Sequence, residues 1–210
     1  MGRLAEFEST FPRYRNFIKE NTWKETGKAG GGLTYNLGSH LIDQAIVLFG
    51  IPQAVYAEID NLRDNGIVDD YFFIRLHYPN VKVSLKASYL MREPMPRFVL
   101  HGTLGSYIKY GLDVQEAALD SGQMPDLPHW GEEAETEWGL LHTTIDQKDF
   151  RGKYPNMTGN YGAFYQNIYD HIRNKIPLLT NARDIIPVIK VIEAAFESCR
   201  KKTVIQLQSL

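Results

Sequence analysis

The chain contains one cysteine among its 210 residues, Cys199, so it cannot form an internal disulfide. It also contains no run of 18 apolar residues, the length that a membrane-spanning helix requires. The formal net charge is −2, and no block of basic residues is present of the kind that nucleic acid binding needs. From these absences we predict a cytoplasmic protein that binds neither nucleic acid nor membrane.

A nucleotide-binding fingerprint is missing as well. No Gly-x-Gly-x-x-Gly follows a predicted strand anywhere in the chain. Three glycines at residues 30–32 do precede a helix, but the polar residues 20–29 before them lack the pattern of a strand. We therefore expect no Rossmann domain in this chain and no cofactor bound by the chain alone. No second histidine or cysteine lies at ligand spacing from His40, so we expect no metal site.

The apolar patterns that are present fit one domain over residues 1–210. Strands are predicted over residues 3–9, 54–60, 70–78, 81–89, 98–101, 106–110 and 203–207, and helices over residues 33–49, 160–174 and 182–202. Consecutive strands joined by short turns pair antiparallel, which indicates an α+β fold. Residues 111–158 are interpreted as an irregular excursion that carries one or two short strands.

The strand predicted over residues 81–89 has the most regular alternation, with apolar residues at odd positions and lysine or serine at even ones. A period of two predicts one buried face and one wetter face. Lys86 on such a face, and Arg97, are open to two interpretations: contact with a polar substrate or a neighbouring subunit, or plain solvation.

The candidate site lies on the helix predicted over residues 33–49. Asn36, His40 and Asp43 are four and three residues apart, so they share one face of that helix. His40 is the candidate acid or base because histidine is the side chain that normally exchanges protons near neutral pH. Asn36 could hydrogen-bond a substrate hydroxyl, and Asp43 could contact the substrate or orient the imidazole. A solvated His-x-x-Asp pair without function is the alternative that spacing leaves open.

Residues 30–52 read Gly-Gly-Gly-Leu-x-x-Asn-Leu-Gly-Ser-His-Leu-Ile-Asp-Gln-Ala-x-x-Leu-Phe-Gly-x-Pro. This stretch resembles the start of the C-terminal domain of the Gfo/Idh/MocA oxidoreductases, and residues 102–106, 161–168 and 182–198 resemble later parts of that domain in the same order. The resemblance covers nearly the whole chain, with residues 111–158 matching least. It implies a predominantly antiparallel open sheet with helices packed on one face, like the C-terminal domain of glyceraldehyde-3-phosphate dehydrogenase.

The same resemblance implies a function. A histidine matching His40 faces the substrate and assists proton transfer as hydride moves to or from the nicotinamide of NAD or NADP. The residue matching Asn36 is often aspartate; an amide cannot act as a base, so only hydrogen bonding is implied here. The family's catalytic lysine belongs to a Glu-Lys-Pro motif of the nucleotide domain, and no Glu-Lys-Pro occurs in this chain.

We therefore expect the substrate-binding and oligomerisation half of an NAD(P)-dependent oxidoreductase that acts on a sugar, cyclitol or related polyol. The half that is missing would be the N-terminal Rossmann domain, and the chain alone would be inactive. Homo-oligomers are expected to form through the open face of the sheet. The Met1-Gly2 start directly before a predicted strand favours a fragment cut at the domain boundary. The alternative is a stand-alone, non-catalytic binding or scaffold protein that retains the fold, which the change to Asn36 fits slightly.

Overall fold

Alternating apolar residues build one nine-stranded sheet in the computed structural model, which describes residues 1–125 and 128–207. The strands are β1 (Leu4–Pro12), β2 (Ala54–Asp60), β3 (Tyr71–His77), β4 (Lys82–Ser88), β5 (Phe98–Gly102), β6 (Gly105–Lys109), β7 (Gly139–Ile145), β8 (Lys148–Tyr154) and β9 (Ile205–Gln206). Their order across the sheet is β8-β7-β6-β5-β1-β4-β3-β2-β9. Among these strands β1 and β4 are parallel, and every other neighbouring pair is antiparallel. The predicted α+β fold with a predominantly antiparallel sheet is confirmed.

Four α-helices accompany the strands in the described part of the chain. They are α1 (Ser39–Phe49), α2 (Val114–Asp120), α3 (Tyr161–Asn174) and α4 (Ala182–Lys201). A π-helical turn, Thr34–Gly38, leads into α1, so the helix predicted over residues 33–49 is present but begins with a wider turn. Helices α1 and α4 contact each other and the sheet. No helix within residues 1–125 and 128–207 combines the length and hydrophobicity needed to cross a lipid bilayer.

The core lies between β2–β4 and the two helices α1 and α4. Every second residue of β3 is buried there: Phe72, Ile74 and Leu76 are at most 1% exposed. From α4, Val191 and Ile192 are fully buried against them. Burial of each side chain of this size contributes about 1.5–3 kcal/mol to stability. The alternation in the sequence therefore determines which face of the sheet supports α1, the helix that carries the candidate site.

The second face of β4 is drier than its sequence pattern predicts. Ser84 and Ser88 are buried rather than wet, although they alternate with the apolar residues. Arg75 of β3 reaches across to donate a 2.6 Å hydrogen bond to Ser84 Oγ, and the Leu90 amide donates to Ser88 Oγ at 3.0 Å. The prediction of a wetter face is wrong at these two positions. Arg75 contacts Ser84, and the residues that follow β4 contact Ser88.

Residues 111–158 contain more regular structure than the sequence suggested, although residues 126 and 127 lie outside the described part of the chain. Helix α2 was not predicted, and β7 and β8 each extend over seven residues at one edge of the sheet. Their two-residue turn is Asp146-Gln147, with φ values of 48° and 66°. Turns of this kind normally contain Asn-Gly or Asp-Gly, so the sequence lacks the usual hairpin signal.

Candidate functional site

A cavity of about 770 Å³ lies between the β1, β5 and β6 side of the sheet, the start of α1, and the first residues of α2 and α3. Its volume is in the range of pockets that bind small molecules, roughly 300–1,000 Å³. A smaller cavity of about 250 Å³ lies near Trp138 and Lys153 at the β7–β8 edge. Lys153 Nζ there donates to the backbone oxygens of Thr136 and Trp138, so its charge is used structurally. The larger cavity holds the predicted site.

One wall of the larger cavity is a row of residues at intervals of four: Asn36, His40, Gln44 and Leu48. Asn36 lies in the π-helical turn, and the other three lie on α1. π-helical turns occur frequently at functional sites, because the wider turn changes which side chains share a face. The structure therefore places Asn36 and His40 on the same cavity wall, and His40 is exposed to solvent there.

Asp43 does not share that wall. It is half-buried and is not among the residues that line the cavity, and no hydrogen bond within the described residues joins it to His40. Gln44, one residue further on, takes the position that the sequence interpretation gave to Asp43. The i, i+4 spacing from His40 to Gln44 was the available signal, since residues four apart overlap on a helix as well as residues three apart do.

The π-helical turn is fixed at its N-terminal end by Asp69. Asp69 Oδ2 accepts a 2.6 Å hydrogen bond from the Thr34 amide, which satisfies a donor at the start of the helix. Gly32 has φ +86°, and a Cβ there would lie 2.0 Å from Asp69 Oδ1, so only glycine fits. Burial raises the pKa of the Asp69 carboxyl, and the hydrogen bonds from Thr34 oppose that change in part.

Lys24 is a contact of the site that sequence reasoning missed. Its Nζ donates a 2.7 Å hydrogen bond to Asn36 Oδ1. The amide nitrogen of Asn36 is thereby left as the group that can donate to a ligand. Lys24 lies in a short 3₁₀ turn, Trp23–Glu25, twelve residues before Asn36 and outside any recognisable motif.

A buried ionic network holds that 3₁₀ turn in place. Glu25 pairs with Arg63 at 2.9 Å, and Arg63 pairs with Asp70 at 2.8 Å. All three side chains are at most 7% exposed, and the Arg63 guanidinium also packs over the Tyr89 ring at 4.7 Å. Because Glu25 directly follows Lys24, the network fixes the backbone that presents Lys24 to Asn36.

Arg97 forms the floor of the cavity beneath Gln44. It is 4% exposed, so it is buried rather than solvated, and Nη2 donates to Gln44 Oε1 at 2.9 Å. Nη1 donates to Ser9 Oγ and to the Thr10 carbonyl. Burial lowers the pKa of Arg97 to about 10, so the guanidinium is still charged at neutral pH.

The opposite wall belongs to β6, α2 and the start of α3. Lys109 Nζ pairs there with Glu133 Oε1 at 3.1 Å. Gln115 of α2 is fully buried, and its Oε1 accepts hydrogen bonds from Trp130 Nε1 and from the Tyr161 amide. This one side chain therefore ties α2 to the first residue of α3. Among the described residues, no group of three histidine, cysteine or acidic side chains is arranged to hold a metal ion.

The arrangement is suited to binding a small polar molecule and exchanging a proton with it. One histidine, three side-chain amides and several cations line one cavity, with aromatic rings beside them. Amide groups suit hydroxyls, and the imidazole suits proton transfer near neutral pH.

Comparison with known proteins gives a consistent result. A family model described as "Oxidoreductase family, C-terminal alpha/beta domain", with the label GFO_IDH_MocA_C, matches residues 1–207. The chain is 36% identical over 206 residues to the scyllo-inositol 2-dehydrogenase (NADP(+)) IolW of Bacillus subtilis, which covers 98% of this chain and 57% of IolW.

Solved structures agree in fold. A crystal structure from Bacteroides fragilis, of a protein named provisionally as an oxidoreductase, is 60% identical with a TM-score of 0.87; the match covers 98% of this chain and 59% of that one. An oxidoreductase from Bacillus cereus is 34% identical with a TM-score of 0.83, covering 99% of this chain and 60% of that one. The chain thus spans less than two thirds of the length of these relatives.

Proposed function

Because the chain belongs to the Gfo/Idh/MocA oxidoreductase family as its C-terminal alpha/beta domain, we propose that it is the substrate-side half of an NAD(P)-dependent enzyme acting on a sugar, cyclitol or related polyol. One observation supports this most strongly: Asn36, His40 and Gln44 line one wall of the same cavity. The name of the Bacillus subtilis relative, a cyclitol dehydrogenase, is consistent with a polyol substrate. We place the enzyme in the cytoplasm.

In this proposal the bound nicotinamide supplies the acceptor or donor of hydride. His40 exchanges the proton of the reacting hydroxyl through an imidazole nitrogen, as a general base for oxidation and a general acid for reduction. The Asn36 amide nitrogen donates to a substrate oxygen, since Lys24 occupies its carbonyl oxygen. Gln44 contributes a second amide beside His40. Asp43 does not contact the substrate in this scheme, because it does not line the cavity.

We propose that NAD or NADP is held by an N-terminal domain. The relatives are long enough to contain one outside the matched region. We propose that this domain packs on α3. None of the 14 residues of α3 is buried, and Phe164 and Ile172 are 57% and 63% exposed. An amphipathic helix of this length is marginal in water without a partner. The first five residues of α4 are exposed as well, including Ile185 and Ile186.

The position of α3 supports the same assignment. Its first residue, Tyr161, lines the cavity, so a domain that covers α3 would also border the cavity mouth. A hydride donor or acceptor must come within contact distance of the substrate carbon, which this placement permits. Homo-oligomers are proposed to form through the sheet face opposite α1 and α4, where Tyr71, Phe73 and Lys86 are only half-buried.

The test is reconstitution. The 210-residue chain is joined behind the part of IolW that lies outside the match, and oxidation of a panel of sugars and cyclitols is followed by the absorbance of reduced nicotinamide. The chain alone should show no turnover and the joined protein should oxidise at least one polyol. Turnover by the chain alone would contradict the proposal. Binding of polyols by the joined protein without any turnover would favour the stand-alone binding protein instead.

A further inference from the structure

Arg97 carries a positive charge that no carboxylate in the described part of the chain neutralises. The residue is 4% exposed, and it forms no ion pair with any carboxylate in residues 1–125 and 128–207. Its acceptors, Ser9 Oγ, the Thr10 carbonyl and Gln44 Oε1, are all neutral. Buried charges in proteins are normally paired, because an isolated one loses its hydration without compensation.

Two of its five N–H groups are also free of protein partners. Nη1 makes two hydrogen bonds and Nη2 makes one, which leaves Nε–H and the second N–H of Nη2 without an acceptor among the described residues. The residue lines the 770 Å³ cavity, so these donors have a ligand space beside them. The guanidinium lies over the rings of Phe11 and Phe98, whose centroids are 5.1 and 4.5 Å from Cζ.

A second unpaired cation contacts the same aromatic ring, Phe11. Arg13 also lines the cavity, and its Cζ lies 5.5 Å from the centroid of the same Phe11 ring. It forms no ion pair within the described part of the chain either. The carboxylates that line the cavity come from the opposite wall and the loops beside it: Asp113, Glu116 and Glu133. Asp113 caps α2, Glu116 lies on α2, and Glu133 is paired with Lys109. Arg13 directly follows β1 and Arg97 directly precedes the neighbouring strand β5, so that wall is the positive end of the cavity.

We propose that Arg97 and Arg13 bind an oxyanion, a carboxylate or a phosphate, carried by the substrate. This inference rests on the proposed function for the role of the cavity, and it narrows the substrate to an acidic polyol such as a sugar acid or a polyol phosphate. The oxyanion lies at the level of Gln44, one helical turn or about 6 Å along α1 from His40. The reacting hydroxyl therefore lies a few carbon atoms from the acidic group of the same molecule.

Calorimetry on the 210-residue chain without any cofactor tests the assignment with three ligands that share a carbon skeleton: D-sorbitol, D-gluconate and D-sorbitol 6-phosphate. Hydrogen bonds to charged groups are about twice as strong as neutral ones, so at least one acidic ligand should bind about tenfold or more tighter than D-sorbitol. Arg13→Met and Arg97→Met should each remove most of that advantage. Arg200→Met, which removes an exposed arginine of α4 away from the cavity, should not.

Each remaining outcome counts against the assignment. Equal binding of the three ligands, no measurable binding of any, or an anion preference that survives both cavity variants would overturn it. Displacement of D-gluconate by NAD⁺ alone would assign the oxyanion site to the dinucleotide and not to the substrate. Should Arg97→Met fail to fold, as a thermal melt would show, the half-buried Arg13 still provides the test. Binding of neutral D-sorbitol that is as tight as that of both acidic ligands would reject the anion site and leave the proposed polyol function intact.

Discussion

Arg63 shows how a single residue far from the cavity can determine the geometry inside it. Its guanidinium pairs with two buried carboxylates, Glu25 and Asp70, and Glu25 anchors the turn that presents Lys24 to Asn36. The sequence shows a lysine, a glutamate and an arginine dispersed over forty residues. Nothing in their spacing indicates that they meet, because the contact is made by a loop that has no periodic pattern.

Replacing Arg63 with methionine should destabilise the chain by about 3–5 kcal/mol, because two buried carboxylates would lose their common partner. The measurement is the free energy of unfolding in urea. Lys201→Met is the matched control: its pair with Glu197 lies on the surface, with side chains 62% and 37% exposed, and should contribute less than about 1 kcal/mol. Equal effects of the two variants would show that the network does not stabilise the fold.

The carboxyl group of Asp69 should make the free energy of unfolding depend on pH. Burial raises its pKa, so the folded state binds a proton more readily than the unfolded state does. The free energy of unfolding should therefore fall as the pH rises from the ordinary aspartate pKa through the raised value. Asp69→Asn, whose carbonyl can still accept from the Thr34 amide, should lose that part of the pH dependence in acid titrations of the melting temperature. Asp64→Asn, at an exposed position, should keep it.

At the level of helices and strands, the sequence predicted most of the sheet and the three longer helices because their apolar periods are regular. The π-helical turn before α1 could not be predicted in this way. The turn is wider than an α-helical turn, and it is anchored by a residue of another segment, the half-buried Asp69 that precedes β3. The spacing of four correctly places Asn36 and His40 on one wall of the cavity. At the next position on that wall the structure has Gln44, where the sequence interpretation had Asp43.

Gly32→Ala tests that account of the turn. A Cβ at this position would combine a left-handed φ of +86° with a 2.0 Å contact to Asp69 Oδ1. Gly50→Ala at the end of α1 is the control, because its φ is +78° but nothing lies within 4 Å of the added carbon. Backbone strain of this kind costs about 1–3 kcal/mol, so Gly50→Ala should lose roughly that amount of unfolding free energy and Gly32→Ala clearly more. Equal losses would mean that Asp69 moves freely and does not fix the turn.

For the molecule as a whole, the exposure of α3 could not be predicted from the sequence. Its amphipathic pattern predicts a helix correctly, but a pattern cannot state which surface the apolar stripe will meet. In the structure no residue of that stripe belongs to the buried core. The relatives are longer than the match, and a domain in the part of them that the match does not cover is the partner that we propose for this stripe.

Ile172→Asp should leave the folding of the chain intact and weaken the packing of the proposed N-terminal domain on α3. The side chain is 63% exposed in the chain, so its replacement should change the free energy of unfolding by less than about 0.5 kcal/mol. In the protein joined to the N-terminal part of IolW, the same change should loosen the two domains, as faster proteolysis between them would reveal. Val47→Asp, on an exposed residue of α1, serves as the control. Unchanged proteolysis would place the N-terminal domain elsewhere.

The central claim is that His40 exchanges the substrate proton in this cavity, and turnover of the joined protein with His40→Ala tests it most directly. General acid–base catalysis typically contributes 10²–10⁴-fold, so kcat should fall by about that factor while the affinity for the polyol changes little. Asp43→Asn, which alters the neighbouring polar residue that lies off the cavity wall, should retain most of the activity. A His40→Ala enzyme with undiminished kcat would contradict the account.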